Sequence, residues 1–507
     1  MDKYYIGVDI GTTSTKSILF NEFGEVVCKV IKEYPIYSEQ PDFKEQDPDE
    51  IFEAVKNTMK DLIIQSNISS RDIKFVSFSA MMHSLIAVDS ECKPLTKCII
   101  WADNRSKEYV KEYKLNGLGK KLYLKTGTPC HPMSPFYKLL WMKNNEENIY
   151  KNAYKFLSIK SYIFYKLFNV YVEDYSIASA TGMFNIFTKC WDDEALQLLN
   201  IDENRLPKAV NTTFILNNIC DNYKKELGFE NSVDFVIGAS DGCLANLGSN
   251  AIENGVAAAT IGTSGAIRVV FDKPVTDEKE RVFCYILSDD KYVVGGAINN
   301  GGIVYSWFKE NFCEKEDLYA KECKEDVYKL LGKYIEETKA GSNGLIFLPF
   351  LAGERAPYWD ADLRGAFIGI SNNHNKRHML KALIEGICFD MNEVFDAIKE
   401  LVEEVKYVYA NGGFTRTEEW IKILTDVIDT QVRITKSYES SALGAVMLGK
   451  LAIGEVKTLD EFNHSEDFKV YNPREENKQL YKDLSKVYGQ AVNSLKSINY
   501  SLIGFQK

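Results

Sequence analysis

The chain lacks any C-x-x-C pair, although it carries eleven cysteines. Their number is odd and they are scattered, so they read as thiols of a reducing compartment, not as a disulfide frame or a zinc site. It lacks a basic block, and its formal net charge is −11. Nucleic acid and an anionic membrane surface are therefore not expected partners. No apolar run is long enough to span a bilayer, and the first residues run into a strand without a signal-peptide pattern. The expected location is the cytoplasm. No G-x-G-x-x-G follows a strand, which leaves a dinucleotide fold without support. Two further motifs fail on one residue each. Gly444 to Lys450 has Walker spacing, but Leu451 stands where a magnesium-binding hydroxyl belongs, and no strand leads into it; a small-residue helix face is the better reading. His374 and His378 are four apart, but Asn375 replaces the glutamate of a zinc protease.

What is present is a motif written twice. Near the start stands Ile10-Gly11-Thr12-Thr13-Ser14-Thr15-Lys16, and in the middle Ile261-Gly262-Thr263-Ser264-Gly265. Each copy is a β-rich run, a small hydroxyl-rich turn and a second β-rich run. Glycine lets backbone approach an anion, successive N–H groups form a nest for it, and the hydroxyls add donors. One such turn is ordinary hairpin chemistry. Two of them suggest related domains that grip one polyphosphate, with Thr12, Thr13, Ser14, Gly262, Thr263 and Ser264 as the gripping residues. Asp9, directly before the first copy, suits an outer-shell ligand of hydrated Mg²⁺.

With 507 residues the chain exceeds one hydrophobic core and fits two domains of about 250 residues. Strands are expected at 4–9, 17–20 and 25–31, forming a meander, and again at 73–79. Asp47-Pro48-Asp49-Glu50 carries a helix start, with Ile51, Val55, Met59, Leu62 and Ile63 on one face of the helix. Strands followed by helices indicate an α/β layer domain. The second half repeats this: a strand at 234–238, a helix at 241–250, a hairpin at 255–271, strands at 292–297 and 405–410, and helices at 378–401. The boundary is expected near 246–253, giving domains 1–246 and 247–507, with no low-complexity linker between them.

If the turns hold ATP phosphates, phosphoryl transfer needs a base that orients and deprotonates an acceptor hydroxyl. Asp241, in the turn after the 234–238 strand, is the candidate, because strand-end carboxylates point into the crevice of an α/β sheet. The same position also suits an ordinary first-turn aspartate. Gly412 and Gly413 end the 405–410 strand and suit adenosine passing close to backbone; an ordinary strand-to-helix turn is the alternative.

These residues resemble the FGGY carbohydrate kinases over essentially the full length. The resemblance rests on Asp9 to Ser14, Glu45 to Pro48, Met133 to Trp141, Gly365 to Ile370 with His378-Met379 and Ala382 to Glu385, and Glu439 to Ala445. It implies an α/β fold of two RNase H-like (actin-like ATPase) domains with an active-site cleft between them, ATP and Mg²⁺ as cofactors, Asp241 as base, Gly262 to Gly265 as the second phosphate hairpin, Gly412-Gly413 as the adenosine loop, and Lys16 among the nucleotide-binding residues. Two departures fall in the adenosine region: Lys422 stands where similar kinases often carry Gln, and Gln431 where Pro is usual.

The resemblance places the sugar in the N-terminal domain. There Met82-His83 follows one strand and Trp101-Ala102-Asp103-Asn104-Arg105 follows another. Polyol recognition wants such groups to fork hydrogen bonds onto hydroxyls. Taken without the family, the better reading is His83 as a satisfied structural histidine and Arg105 as a solvated or ion-paired residue. The wording around Met82-His83, Trp101 to Arg105 and Gly353 to Pro357 is closer to gluconate-phosphorylating members than to xylulose-phosphorylating ones. The expected reaction is D-gluconate to 6-phosphogluconate at the terminal hydroxyl, with Arg105 a candidate for the carboxylate. D-xylulose to xylulose 5-phosphate is the alternative, and another polyol comes third. From other classes, an actin-like ATP-driven conformational protein and a catalytically silent sugar-binding regulator are weighed; the latter would be expected to lose Asp9 or Asp241. Sugar binding is expected to close the domains and expel water. Partners are expected to be a small sugar or sugar acid and ATP. A homodimer is compatible with the sequence, which does not fix the oligomeric state, and the roles of Glu354 and Arg355 stay open between an ion pair and a ligand contact.

Overall fold

The computed structural model describes residues 3–229, 233–402, 404–434, 439–462 and 468–505. The chain forms two compact units. One gathers residues 1–252, 270–294 and 439–464; the other gathers 253–269, 295–438 and 465–507. Among the described residues no helix is long and apolar enough to cross a membrane.

The first unit is built on a six-stranded sheet in the order Ile215–Leu216, Asp234–Ser240, Ile73–Ala80, Tyr4–Ile10, Ser14–Asn21, Val26–Glu33. The 234–240, 73–80 and 4–10 strands are parallel, and the 14–21 and 26–33 strands complete the expected meander. Parallel strands need cover on both faces, and the sequence supplies it by alternation. Ile6, Val8, Ile10, Val76 and Phe78 join one core cluster; Tyr5, Ile18, Phe20, Phe75 and Val236 join another with Ala442 and Val446. Each such side chain stabilises the fold by about 1.5–3 kcal/mol when fully buried.

The first face is covered by the helix Pro48–Ser66. Asp47 caps it by accepting from Asp49 N at 2.8 Å, Pro48 opens it, and Ile51, Val55, Met59 and Leu62 are buried. The second face receives the helix Ser440–Ala452. This helix comes unusually near because it is made of small residues. A Cβ added to Gly444 would lie 2.1 Å from the Leu244 carbonyl oxygen, and one added to Gly449 would lie 2.1 Å from the Phe75 ring. Gly248 packs back on Ser440 in the same way, at 1.9 Å. The stretch with Walker spacing is therefore a packing face.

The second unit repeats the hairpin plan. Val256–Ile261 and Gly265–Phe271 pair antiparallel, and the first of them runs parallel to Tyr407–Asn411. The 4–10 strand has the same two relations, antiparallel to 14–21 and parallel to 73–80. Beyond Tyr407–Asn411 lie Val432–Ile434 and Lys469–Tyr471.

Candidate active site

Three parallel strands of the first unit end along one edge. Register pairs Asp9 with Ser79, and Ile10 with Ala80; on the other side of the 73–80 strand, Ala239 pairs with Ser79 and Ser240 with Ala80. Asp9 and Asp241 thus emerge at the carboxyl ends of strands about 9–10 Å apart, two strand spacings. The carboxyl edge of a parallel sheet is where ligands bind in α/β folds. Asp241 opens the helix Asp241–Gly248, is partly exposed, and accepts from Gly242 N at 2.7 Å. A bulge aims this end. Register shifts between Val236 and Ala239, and Gly238 there has φ +71°, where a Cβ would meet the Phe78 carbonyl oxygen at 1.8 Å. Lys160, fully buried, pairs with Asp174 at 2.8 Å and donates to the Ala239 carbonyl at 2.9 Å, fixing the chain two residues before Asp241.

Asp9 Oδ1 accepts from the Ser79 hydroxyl at 2.7 Å, and its other oxygen meets no donor among the described residues. Burial holds this carboxyl above the ordinary range, the Ser79 hydroxyl and Lys16 pulling it back. A carboxylate with one satisfied oxygen fits a hydrated divalent cation.

The hairpin tip beside it is held from behind by its carbonyls. Tyr34 Oη donates to Gly11 O at 2.6 Å, Gln46 Nε2 to Thr12 O at 2.7 Å, and Tyr34 N to Thr13 O at 3.1 Å. The amides of Thr12 and Thr13 donate to no group among the described residues. The tip 262–264 is built alike. Gly302 N donates to Gly262 O at 2.7 Å and Ile303 N to Thr263 O at 3.1 Å, while the amides of Thr263 and Ser264 have no described acceptor. Turned-back carbonyls and outward amides make an anion nest. Lys16, expected among the nucleotide-binding residues, has an internal partner. Its ammonium pairs with Glu439 at 3.3 Å, which Lys29 also meets at 2.8 Å, so its charge is already shared.

The two segments expected to meet the substrate are tied to this edge. Met81 N donates to Ile10 O at 2.8 Å, which brings Met82 and His83 out beside the first tip. His83 has φ +66°, is 5% exposed, and hydrogen-bonds the Ala180 carbonyl through Nδ1 at 2.7 Å. Trp101 Nε1 donates to Thr12 Oγ1 at 2.8 Å. Lys138, fully buried, donates to three carbonyls: His83 at 2.6 Å, Ile100 at 2.8 Å and Ile99 at 3.3 Å. One ammonium thereby anchors both segments.

Asp103 and Arg105, both expected at the substrate, are bound to one another. Asp103 is fully buried and accepts from Lys44 N, Arg105 N, Arg105 Nε and Arg105 Nη2 at 2.7–3.0 Å, which fills its four lone-pair sites. Arg105 pairs with Asp103 at 2.8 Å and Glu45 at 2.5 Å and stacks over Phe43 at 3.8 Å. The pair shapes the 101–105 loop; its charge is spent internally.

In the second unit a cavity of about 970 Å³ opens at the tip, lined by Gly262, Thr263, Gly302, Gly413, Trp420 and Lys422 among others. Its size suits a nucleoside phosphate. The two candidate glycines divide their tasks. Gly412, at φ +103°, would put a Cβ 2.5 Å from the Ile261 carbonyl oxygen, so it serves backbone packing; Gly413 has open space and lines the cavity. Lys422, one of the departures, pairs with Glu418 at 3.5 Å and Glu419 at 3.7 Å at the cavity wall. Of the two histidines, His378 completes a capping box with Asn375 and His374 accepts from Ser371 N at 2.9 Å in the preceding turn; the described residues contain no group of three or more His, Cys, Asp or Glu able to hold a metal.

Sequence reasoning assigned no role to Tyr34, Gln46 or Lys138, although all three hold the site. Lys138 carried a signal: a lysine inside the otherwise buried run Met133 to Met142 has to find carbonyls or a counter-charge.

The chain matches the N-terminal domain of the FGGY family of carbohydrate kinases over residues 4–248 and the C-terminal domain over residues 257–453. It is 46% identical over 461 residues to a gluconokinase of Bacillus subtilis, covering 91% of this chain and 90% of that one. It is similar to the crystal structure of gluconate kinase from Lactobacillus acidophilus, with TM-score 0.91, 36% identity, and 98% and 99% of the two chains covered. A ligand-bound xylulose kinase from the same organism matches with TM-score 0.91, 36% identity, and coverage of 97% and 98%. These neighbours carry the two-domain actin-like ATPase fold. With both domains matched in order, and two phosphate-type hairpins built on one plan, the chain belongs to the FGGY family of carbohydrate kinases.

Proposed function

We propose that this kinase transfers the γ-phosphoryl group of ATP to the terminal hydroxyl of D-gluconate, giving 6-phosphogluconate. The observation that carries phosphoryl transfer is the shared build of the tips 11–14 and 262–264, with carbonyls held and amides outward. In this reading the cavity beside Gly262 and Gly413 takes the nucleoside, and the amides of both tips bind its phosphates. Asp241 accepts the proton of the acceptor hydroxyl, which its partly exposed place at the sheet edge permits. Asp9 would hold hydrated Mg²⁺, which supplies charge neutralisation at the phosphate oxygens. His83, Met82 and Trp101 orient the acceptor, and Lys138, Asp103 and Arg105 hold their loops in shape.

The relatives named for gluconate favour the sugar acid. One observation favours D-xylulose instead: Arg105 is balanced by Asp103 and Glu45 and offers no whole charge to a carboxylate. The test is kcat/KM for gluconate, xylulose, ribulose and glycerol with ATP and Mg²⁺. Gluconate should lead the panel; a strong preference for an uncharged ketose would overturn the substrate.

A further inference from the structure

Behind the second tip lies a buried carboxylate that the reaction does not use. Glu354 is fully buried, yet it faces no cation among the described residues. Oε1 accepts from Asn299 N, in a short bond, and from Arg355 N at 2.8 Å; Oε2 accepts from Asn300 Nδ2 at 2.7 Å. Asn300, also fully buried, is gripped further: Nδ2 donates to Gly353 O at 2.7 Å, and Oδ1 accepts from Ala352 N at 3.2 Å. The next two residues are Gly301 and Gly302. A Cβ at Gly301 would lie 2.7 Å from the Ser264 carbonyl carbon, and one at Gly302 would lie 2.6 Å from Gly262 O. Their approach is what lets Gly302 N and Ile303 N take the carbonyls of Gly262 and Thr263.

We propose that Glu354 is a positioning residue for the nucleotide: through Asn299 and Asn300 it presses the 301–302 backbone onto the hairpin, turning the 262 and 263 carbonyls inward and the amides of Thr263 and Ser264 toward phosphate. Asp390 completes the device. It is fully buried beside Glu354, and neither of its oxygens meets a donor among the described residues. Burial pushes both carboxyls above their ordinary range, and the charge of Glu354 pushes Asp390 further. The geometry favours charge on Glu354, which has three donors where Asp390 has none among the described residues. Of the two roles the sequence left open, the ion pair is replaced by a backbone contact: Glu354 accepts from the amide of Arg355. The Arg355 guanidinium donates to Ile298 O at 3.1 Å, on the strand leading into Asn299.

The inference rests on the tip 262–264 being the nucleotide-phosphate site, so the experiment separates the two. Calorimetry measures ADP and ATP-analogue affinity, and steady-state kinetics measures KM for each substrate, in Glu354→Gln, Asn300→Ala and Gly262→Val. Glu354→Gln exchanges an acceptor oxygen for an N–H donor where the hairpin support needs the acceptor. A misplacement of this kind costs about 10- to 100-fold, here expected in nucleotide affinity and KM for ATP, with KM for the sugar acid within about 2-fold. Asn300→Ala should repeat the Glu354→Gln pattern, and it keeps the question answerable if Glu354→Gln does not fold. Gly262→Val, which covers the tip, reports on the tip itself: unchanged affinity there overturns the reading of the hairpin. Weakened Gly262→Val with unchanged Glu354→Gln and Asn300→Ala overturns the role of Glu354. So does an equal rise in both KM values.

Discussion

Trp101 Nε1 donates to Thr12 Oγ1 at 2.8 Å, joining the 101–105 loop, proposed to meet the acceptor, to the 11–14 tip, proposed to bind phosphate, within one unit. Trp101→Phe keeps an aromatic ring and deletes the donor. A neutral hydrogen bond is worth about 1 kcal/mol net, so kcat/KM should fall about 5-fold. The loss should appear in the KM of both substrates, since the bond touches both loops. An effect on the sugar alone would separate the loop from the tip.

Asp241 stands on a bulge built around Gly238 and braced by Lys160. Asp241→Asn should lower kcat by about 10²- to 10⁴-fold. ADP affinity, measured by calorimetry, should remain. Near-normal turnover in this variant would remove the aspartate from the mechanism.

Lys138 gives a pH signature in stability. Burial pushes its ammonium down to about 7, Asp103 opposing the shift. Between about pH 7 and the ordinary lysine range near 10.5 the unfolded chain therefore binds the proton and the folded chain does not. Stability contributed by this group rises with pH across that window. The urea midpoint of the wild type minus that of Lys138→Met should accordingly increase from pH 7 to pH 9. The methionine variant should be the less stable at pH 9, because the neutral amine still offers two N–H donors to these carbonyls and methionine offers none. A flat or falling difference would contradict the shift.

Gly444 sits in a helix interior, where Gly→Ala ordinarily stabilises by about 1 kcal/mol. Here the added methyl meets Leu244 O at 2.1 Å. Overpacking costs about 1–3 kcal/mol, so Gly444→Ala should lower the melting temperature by several degrees. An increase would mean that the 440–452 helix does not rest on the 241–248 helix.

Legibility in the sequence followed the range of each interaction. Strands and the two tips were readable because alternation and turn chemistry are local; the Asp47 cap, Pro48 and the buried face of that helix appear where the pattern put them. The return of residues 439–464 to the first unit was not readable, because only the small residues Gly444 and Gly449 hint at it and their partners lie some two hundred and more than three hundred residues away. The site residues divide likewise. The amides of the tips follow from Gly-Thr-Ser chemistry. The pairing of Arg105 with Asp103 and Glu45 hides behind a polar cluster that looks equally fit for a sugar. Gly412 and Gly413 are adjacent and identical in sequence, yet one answers to Ile261 O and the other to a cavity.

Amide hydrogen–deuterium exchange, with and without a nonhydrolysable ATP analogue and Mg²⁺, tests the paired tips most directly. The account predicts new protection at residues 11–14 and at 262–264 together. Protection at only one of these turns, or at neither, would contradict it.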